Sequence, residues 1–257
     1  MPQRLLEDSH LIWAFVLLIC RFSGMIMVLP GIGGGERGYV VRYPAVIVLA
    51  FAALKTESAL PLPTDWALLL VQLLTEFTVG LAIGIIPFIA IAGIQMAGML
   101  SSTSMGLGAG NLIDPTLGAP TSDLARIYSD LSVVLFLMLG GHHAVIYAVS
   151  GYGGQLVPGT LILEHLDINL LIDLTSNIFQ VGVMVAAPVL VALLLTQFVM
   201  GLISKAVPTV NVFIVSFPLT IGIGLILSML SLPEIFTFLQ REFATVDQNI
   251  LQVIHTQ

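Results

Sequence analysis

The ionisable residues embedded in apolar sequence are the first candidates for chemistry. Glu76, Asp130, Asp173 and Lys205 lie within or at the edges of long apolar runs. In a bilayer such groups act as proton relays and ion sites, or as pairs that fix helices in register. Asp123, Arg126 and Asp130 are spaced i, i+3, i+7, so Arg126 reaches either acid along one helical face. Pairing is therefore the reading favoured for this set. Arg21 falls in the middle of the run Leu11–Pro30. On a lipid face it would cost at least ~2.5–3.5 kcal/mol, so it is expected to face a partner helix or subunit.

Other constellations point away from catalysis. His142 and His143 are adjacent, and neighbours on a helix diverge by about 100°, so they do not form an i, i+4 ligand pair. No His-Glu-x-x-His motif is present, and no metal is expected. No serine stands in a Gly-x-Ser-x-Gly context, and Ser101, Ser102 and Ser104 have no histidine near them in sequence. The glycine-rich stretch Gly31–Arg42 (GIGGGERGYVVR) has no strand before it and no Gly-Lys-Ser/Thr after it. It reads as a turn between helices rather than a phosphate loop. Cys20 is the single cysteine, so a disulfide or thiolate framework is excluded. The chain is read as no enzyme, with no cofactor.

The elements that must position these residues are helices in a membrane. Hydrophobic residues make up 57% of the chain and charged residues 9%, too little polar surface to cover a soluble core. The formal net charge of -7 argues against nucleic acid as a partner. The first apolar run, Leu11–Pro30, has acidic Glu7 and Asp8 before it and no small-residue cleavage site after it, so it reads as an uncleaved membrane segment. Tyr43–Leu62 is the second run. Trp66–Leu100 would measure about 50 Å as one helix, against a hydrocarbon core near 30 Å. It must tilt, project or break, with Pro87 the expected kink. Leu124–Ser150 is another long run, and Ile168–Lys205 repeats the overlong pattern with Pro188 inside it. Val210–Pro233 is the last apolar run. The stretch 234–257 carries Ile235, Phe238, Leu239, Ile250, Leu251 and Ile254 at helical spacing, the pattern of a short amphipathic helix outside the lipid. Lys and Arg are spread too thinly to orient the chain. The expected fold class is an all-α polytopic membrane protein with kinked, proline-broken helices and hairpins.

Between these blocks lies Ser101–Ser122, SSTSMGLGAGNLIDPTLGAPTS. It is rich in glycine, broken by Pro115 and Pro120, and carries Asp114 as its one ionisable residue. Lipid would leave its backbone polar groups unpaired, at a cost on the order of 2–7 kcal/mol each. Irregular backbone of this kind belongs inside protein or along a cavity. Met96, Met99 and Met105 beside it are deformable side chains suited to an irregular surface. The chain thus divides into an N-terminal helical part (1–100), this loop (101–122), a C-terminal helical part (123–233) and an amphipathic tail (234–257).

Two stretches carry a family resemblance: Leu124–Gly159, opening LARIYSDLSVV and containing Gly141-His142, and Pro188–Leu225, containing VPTVNVFIVSFPLTIGIG. With Asp114-Pro115 before them, they resemble the FliR family of flagellar export-gate proteins, whose injectisome counterparts are the SctT proteins. The resemblance covers about Ile94 to Leu232. It implies a subunit of a helical assembly with P-type and Q-type gate subunits (FliP, FliQ) and an FlhB-type switch subunit. That assembly sits in the bacterial inner membrane within the flagellar basal body and passes unfolded exported proteins. The helices are then surrounded by each other more than by membrane lipid. It further implies a loop that plugs the closed pore, which maps onto Met105, Gly106, Leu107, Gly108, Gly110, Asn111, Asp114 and Pro115. Relatives often carry phenylalanine where this chain has Gly108-Ala109-Gly110. Arg21, Asp123, Arg126, Asp130 and Lys205 are the expected ionic residues of assembly or helix pairing. The alternatives are a T subunit of a virulence-type injectisome and, from another class, a small secondary transporter or channel coupling through Glu76, Asp130 or Lys205.

Overall fold

Apolar residues in runs of about 20 or more fold in lipid as helices, because only a helix satisfies every backbone polar group within its own segment. The computed structural model describes residues 2–32, 38–54, 65–107, 122–151, 157–159, 166–207, 209 and 211–254. The helices among them are α1 (Pro2–Val28), α2 (Tyr39–Ala53), α3 (Trp66–Met105), α4 (Asp123–Met138), α5 (Gly141–Ser150), α6 (Ile168–Ala206), α7 (Val212–Leu230), α8 (Leu232–Ala244) and α9 (Val246–Val253). Three described stretches are long and apolar enough to cross a membrane: His10–Val28, Trp66–Met105 and Ile168–Ala206. The number rises to five if each of two bent helix pairs counts as one span. The fold is that of an all-α polytopic membrane protein.

Both overlong runs are realised as single helices, of 40 residues in α3 and 39 in α6. The helical assignment continues through Pro87 and Pro188. At ~1.5 Å per residue α3 is about 60 Å long, twice a hydrocarbon core. Two breaks between helices are sharply bent. The chain turns by 65° between α4 and α5 and by 43° between α7 and α8. The first bend has a local cause, since Gly140 takes φ 76 in the left-handed region, where a side chain would be strained.

The helices form two compact units, each assembled from separate stretches of chain. The first comprises Met1–Ile89, Phe136–Leu174 and Glu242–Gln257; the second comprises Ala90–Leu135 and Thr175–Arg241. In the first unit α1 packs against α2 and α5, and α9 against α5. Its core includes Leu17, Phe22, Met25, Ile83, Phe136, Val145 and Ile250, each exposed by no more than 1%. The Phe136 and Phe243 rings meet edge to face at 5.1 Å. Residues 242–254 are fastened here by an antiparallel bridge between Ile254 and Leu166 and by a 2.9 Å hydrogen bond from Asp167 N–H to the Val253 carbonyl. Of the apolar tail residues, Ile235, Leu239, Ile250 and Ile254 are buried in the protein, while Leu251 is exposed.

In the second unit, α3 lies close against α4 and α6. A Cβ on Gly98 would stand 2.7 Å from Ala125 Cα, and one on Gly182 would stand 2.8 Å from Met96 Cγ. Tyr128 O–H donates to the Ser228 carbonyl at 3.1 Å, tying α4 to α7.

Candidate functional site

In the first unit, a buried ion pair is built where α1 and α3 approach at backbone distance. A Cβ on Gly80 would run into the Arg21 carbonyl, one on Gly24 into the Phe77 carbonyl, and one on Gly84 would come within 2.8 Å of the Met25 carbonyl. These glycines bring the two helices together and seal Arg21 (0% exposed) with Glu76 (1% exposed) between them. Arg21 Nε donates to Glu76 Oε2, and Arg21 Nη1 donates to the Val149 carbonyl at 3.4 Å. Glu76 Oε1 accepts the Gly159 N–H at 2.6 Å. Arg21 thus faces a partner helix of its own chain. Four separate stretches converge on one pair of opposite charges, which is how an intramembrane charge is kept neutral and solvated by protein.

In the second unit, the end of α3 is closed by glycine and gripped by two other helices. Gly106 has φ 85. Its N–H donates to the Thr103 carbonyl at 3.1 Å, and Leu107 N–H donates to the Ser102 carbonyl at 3.1 Å. This is a Schellman ending, and it satisfies carbonyls that the last helical turn leaves open. Met105 is 1% exposed. Its side chain occupies a notch at Gly224 of α7, where a Cβ would stand 2.5 Å from Met105 Cγ. Thr220 O–H reaches the Met105 carbonyl at 3.3 Å, and Gln197 Nε2 of α6 donates to the Ser104 carbonyl at 3.3 Å. The Phe217 ring lies 3.1 Å from where a Cβ on Gly106 would sit.

Of the residues mapped to the plug, Met105 is therefore a seated helix end, Gly106 its terminator and Leu107 a half-exposed exit. Gly108, Gly110, Asn111, Asp114 and Pro115 lie outside the described residues. Among the expected ionic residues, Arg126 Nε stands 3.9 Å from Asp130 Oδ2 in a pair that is 78% and 74% exposed. Asp123 and Lys205 are exposed, at the start of α4 and in the last turn of α6. Of the residues named for the transporter alternative, the Glu76 carboxylate is held by Arg21 and Gly159, while Asp130 and Lys205 are exposed. Among the described residues no group of three or more His, Cys, Asp or Glu is placed to hold a metal ion.

Sequence reading found Arg21 and Glu76 separately and missed that they are partners. It also missed Phe217, Thr220 and Gly224 as the seat of Met105. The one signal that pointed there was Gly224 in an apolar helix, where glycine needs a packing reason.

Residues 12–246 match the family described as bacterial export proteins, family 1. The chain belongs to that family. Among similar members, flagellar biosynthetic protein FliR of Bacillus subtilis (strain 168) is 25% identical over 251 residues, 94% of this chain and 95% of its own. Flagellar biosynthetic protein FliR of Escherichia coli (strain K12) is 28% identical over 217 residues, 83% of this chain and 82% of its own. Yop proteins translocation protein T of Yersinia pestis is 24% identical over 217 residues, 83% of each chain. As a bacterial export protein the chain contributes membrane-spanning structure, and both the buried pair and the seated end of α3 lie inside the region that defines the family.

Proposed function

We propose that this chain is the R-type subunit of the flagellar type III export gate, in the bacterial inner membrane at the flagellar basal body. The observation that carries the reading is membership of the export family across residues 12–246, with flagellar biosynthetic proteins among its relatives over nearly their whole length. The partners in this reading are P-type and Q-type subunits (FliP, FliQ), an FlhB-type subunit and unfolded exported chains. Support for extensive partners comes from α6, whose most apolar window is only 22% buried within the chain. No chemical step is assigned to it, and the energy for transport comes from other components.

The segment Met105–Pro115 is the plug of the resting pore. It is supported by the seat of Met105, which gives the segment a fixed root, and by its lack of charge before Asp114. An apolar constriction blocks ions by excluding water. Removing residues 106–110 in the assembled gate is expected to let small solutes leak across the inner membrane. An unchanged conductance would discard the plug.

A second reading, the T subunit of an injectisome, is favoured by the likeness to the Yersinia protein. Deleting the gene separates the two. Loss of swimming and of hook-protein export, restored by the intact gene, supports the flagellar role. Normal swimming with loss of another secretion activity supports the injectisome.

A further inference from the structure

Among the described residues of the second unit, a cleft of about 480 Å³ opens between the last turn of α3, the latter half of α6 and the first half of α7. Its lining contains no Asp, Glu, Lys, Arg or His, yet in this apolar chain it gathers five hydroxyl residues and an amide: Thr103, Ser104, Gln197, Ser204, Ser216 and Thr220. Three of these have a donor committed within the protein. Thr103 Oγ1 donates to the Met99 or Leu100 carbonyl at 2.9 or 3.0 Å. Thr220 Oγ1 donates to the Phe217 or Met105 carbonyl at 3.1 or 3.3 Å, and Gln197 Nε2 donates to Ser104. What remains on the two threonines is acceptor capacity, while Gln197 keeps its second N–H and its carbonyl, and Ser104, Ser204 and Ser216 add hydroxyls of either polarity. Met200 and Phe217 supply apolar wall.

Gly201, also in the lining, is the second observation. The packed helical glycines of this unit each have a reason to lack a side chain: Gly93 meets Val181, Gly98 meets Ala125, Gly182 meets Met96 and Gly224 meets Met105. A Cβ on Gly201 would meet nothing within 4 Å, and its φ is not positive. Gly222 shares that open surrounding but is not part of the lining. Glycine inside a helix weakens it relative to alanine. At Gly201 neither backbone nor packing within the chain explains that sacrifice. Space held open beside neutral donors and acceptors fits an occupant that comes from outside the chain and approaches with its backbone.

We propose that this cleft binds an extended stretch of polypeptide in transit, held through its backbone N–H and C=O groups. The proposal rests on the export reading and names how that site touches its cargo. An extended chain presents peptide N–H and C=O groups whatever its sequence, and neutral donors and acceptors meet both without the cost of a buried charge. A phosphate or lipid headgroup asks instead for cations, and the lining has no cation. Transit is favoured over a resident segment by position. One wall is Thr103–Gly106, the turn that leads directly into the segment assigned as the plug.

The test uses the intact assembly in cells, with p-benzoylphenylalanine in place of Ser204 and a substrate stalled during export by a folded fusion. Illumination is expected to give adducts with the stalled chain, at similar yield for substrates of unrelated sequence. Adducts confined to lipid or to a resident subunit overturn the proposal. In parallel, Gly201→Trp fills the cleft where the protein has no atoms, and Gly201→Ala leaves most of it open. Gly201→Trp is expected to lower export at least about fivefold, the equivalent of one net hydrogen bond, with Gly201→Ala near wild type. Wild-type export by a stably inserted Gly201→Trp protein also overturns the proposal. If that variant fails to accumulate, the Ser204 adducts decide alone. A deletion strain that exports normally would defeat the export reading itself. A strain that needs the protein but yields only lipid adducts defeats the cleft proposal alone.

Discussion

Helix α3 is held by opposite means in the two compact units. In the first unit its partner α1 contributes a charge, and Arg21, Glu76, the Val149 carbonyl and the Gly159 N–H close around one ion pair. In the second unit the grip is neutral: a methionine in a glycine notch, a threonine hydroxyl and a glutamine amide on carbonyls. A buried charge is all or nothing, because removing one member strands the other in a low dielectric. A shape-based seat degrades in steps, each with the atoms removed. The difference suits a helix locked by charge in its first part and held by shape at its last turn.

That contrast can be broken from its costliest end. Arg21→Ala is expected to destabilise the protein by about 3–5 kcal/mol, since Glu76 stays buried without its countercharge. Arg21→Met combined with Glu76→Leu should recover most of the loss, because well-packed apolar groups often replace a buried pair at little cost. Thermal unfolding of the purified chain in detergent micelles reads both; equal melting of Arg21→Ala and wild type would refute the pair as a lock. Met105→Ala comes next, at about 2–4 kcal/mol for an emptied notch. Protease cleavage near residue 107 should accelerate in that variant more than cleavage in the first unit. Gly106→Ala is smaller, about 1–2 kcal/mol, from forcing a side chain into φ 85. Its signature is faster amide exchange at Gly106 and Leu107 N–H rather than global unfolding. The smallest effect belongs to Arg126→Ala, below about 0.5 kcal/mol, because an exposed pair at 3.9 Å is screened by water. A melting shift as large as that of Met105→Ala would show that this face is covered in the assembled protein.

The sequence made the membrane class legible because hydropathy is local: each span can be read without knowing its neighbours. The loop expected to begin at Ser101 was placed too early on its described side: helix runs on through Ser101–Met105 and ends at Gly106. What stayed hidden was pairing. Arg21 and Glu76 are 55 residues apart, and both announced only that they needed some partner. Pro87 and Pro188 interrupt neither long run: helix continues through both, as packed neighbours in membrane proteins permit. The bend that the structure makes at Gly140 follows from a left-handed backbone angle, which glycine allows but does not announce. Glycines proved the hardest to read. Gly80, Gly106 and Gly201 are identical letters serving a helix contact, a helix end and an open space.

The bridge between Ile254 and Leu166 bears on the order of events at the ribosome. The first unit takes residues from three separate stretches, and the last of them, 242–257, is synthesised after all of the second unit. Between residues 174 and 242 lie roughly seventy residues, on the order of 4–14 s of translation at ~5–20 residues per second. During that interval Phe136 has no Phe243 ring to meet and the Asp167 N–H has no Val253 carbonyl. The nascent chain therefore carries an open seam in its first unit for as long as Thr175–Arg241 of its second unit is being made. Closure of that seam waits for Phe243, Val253 and Ile254.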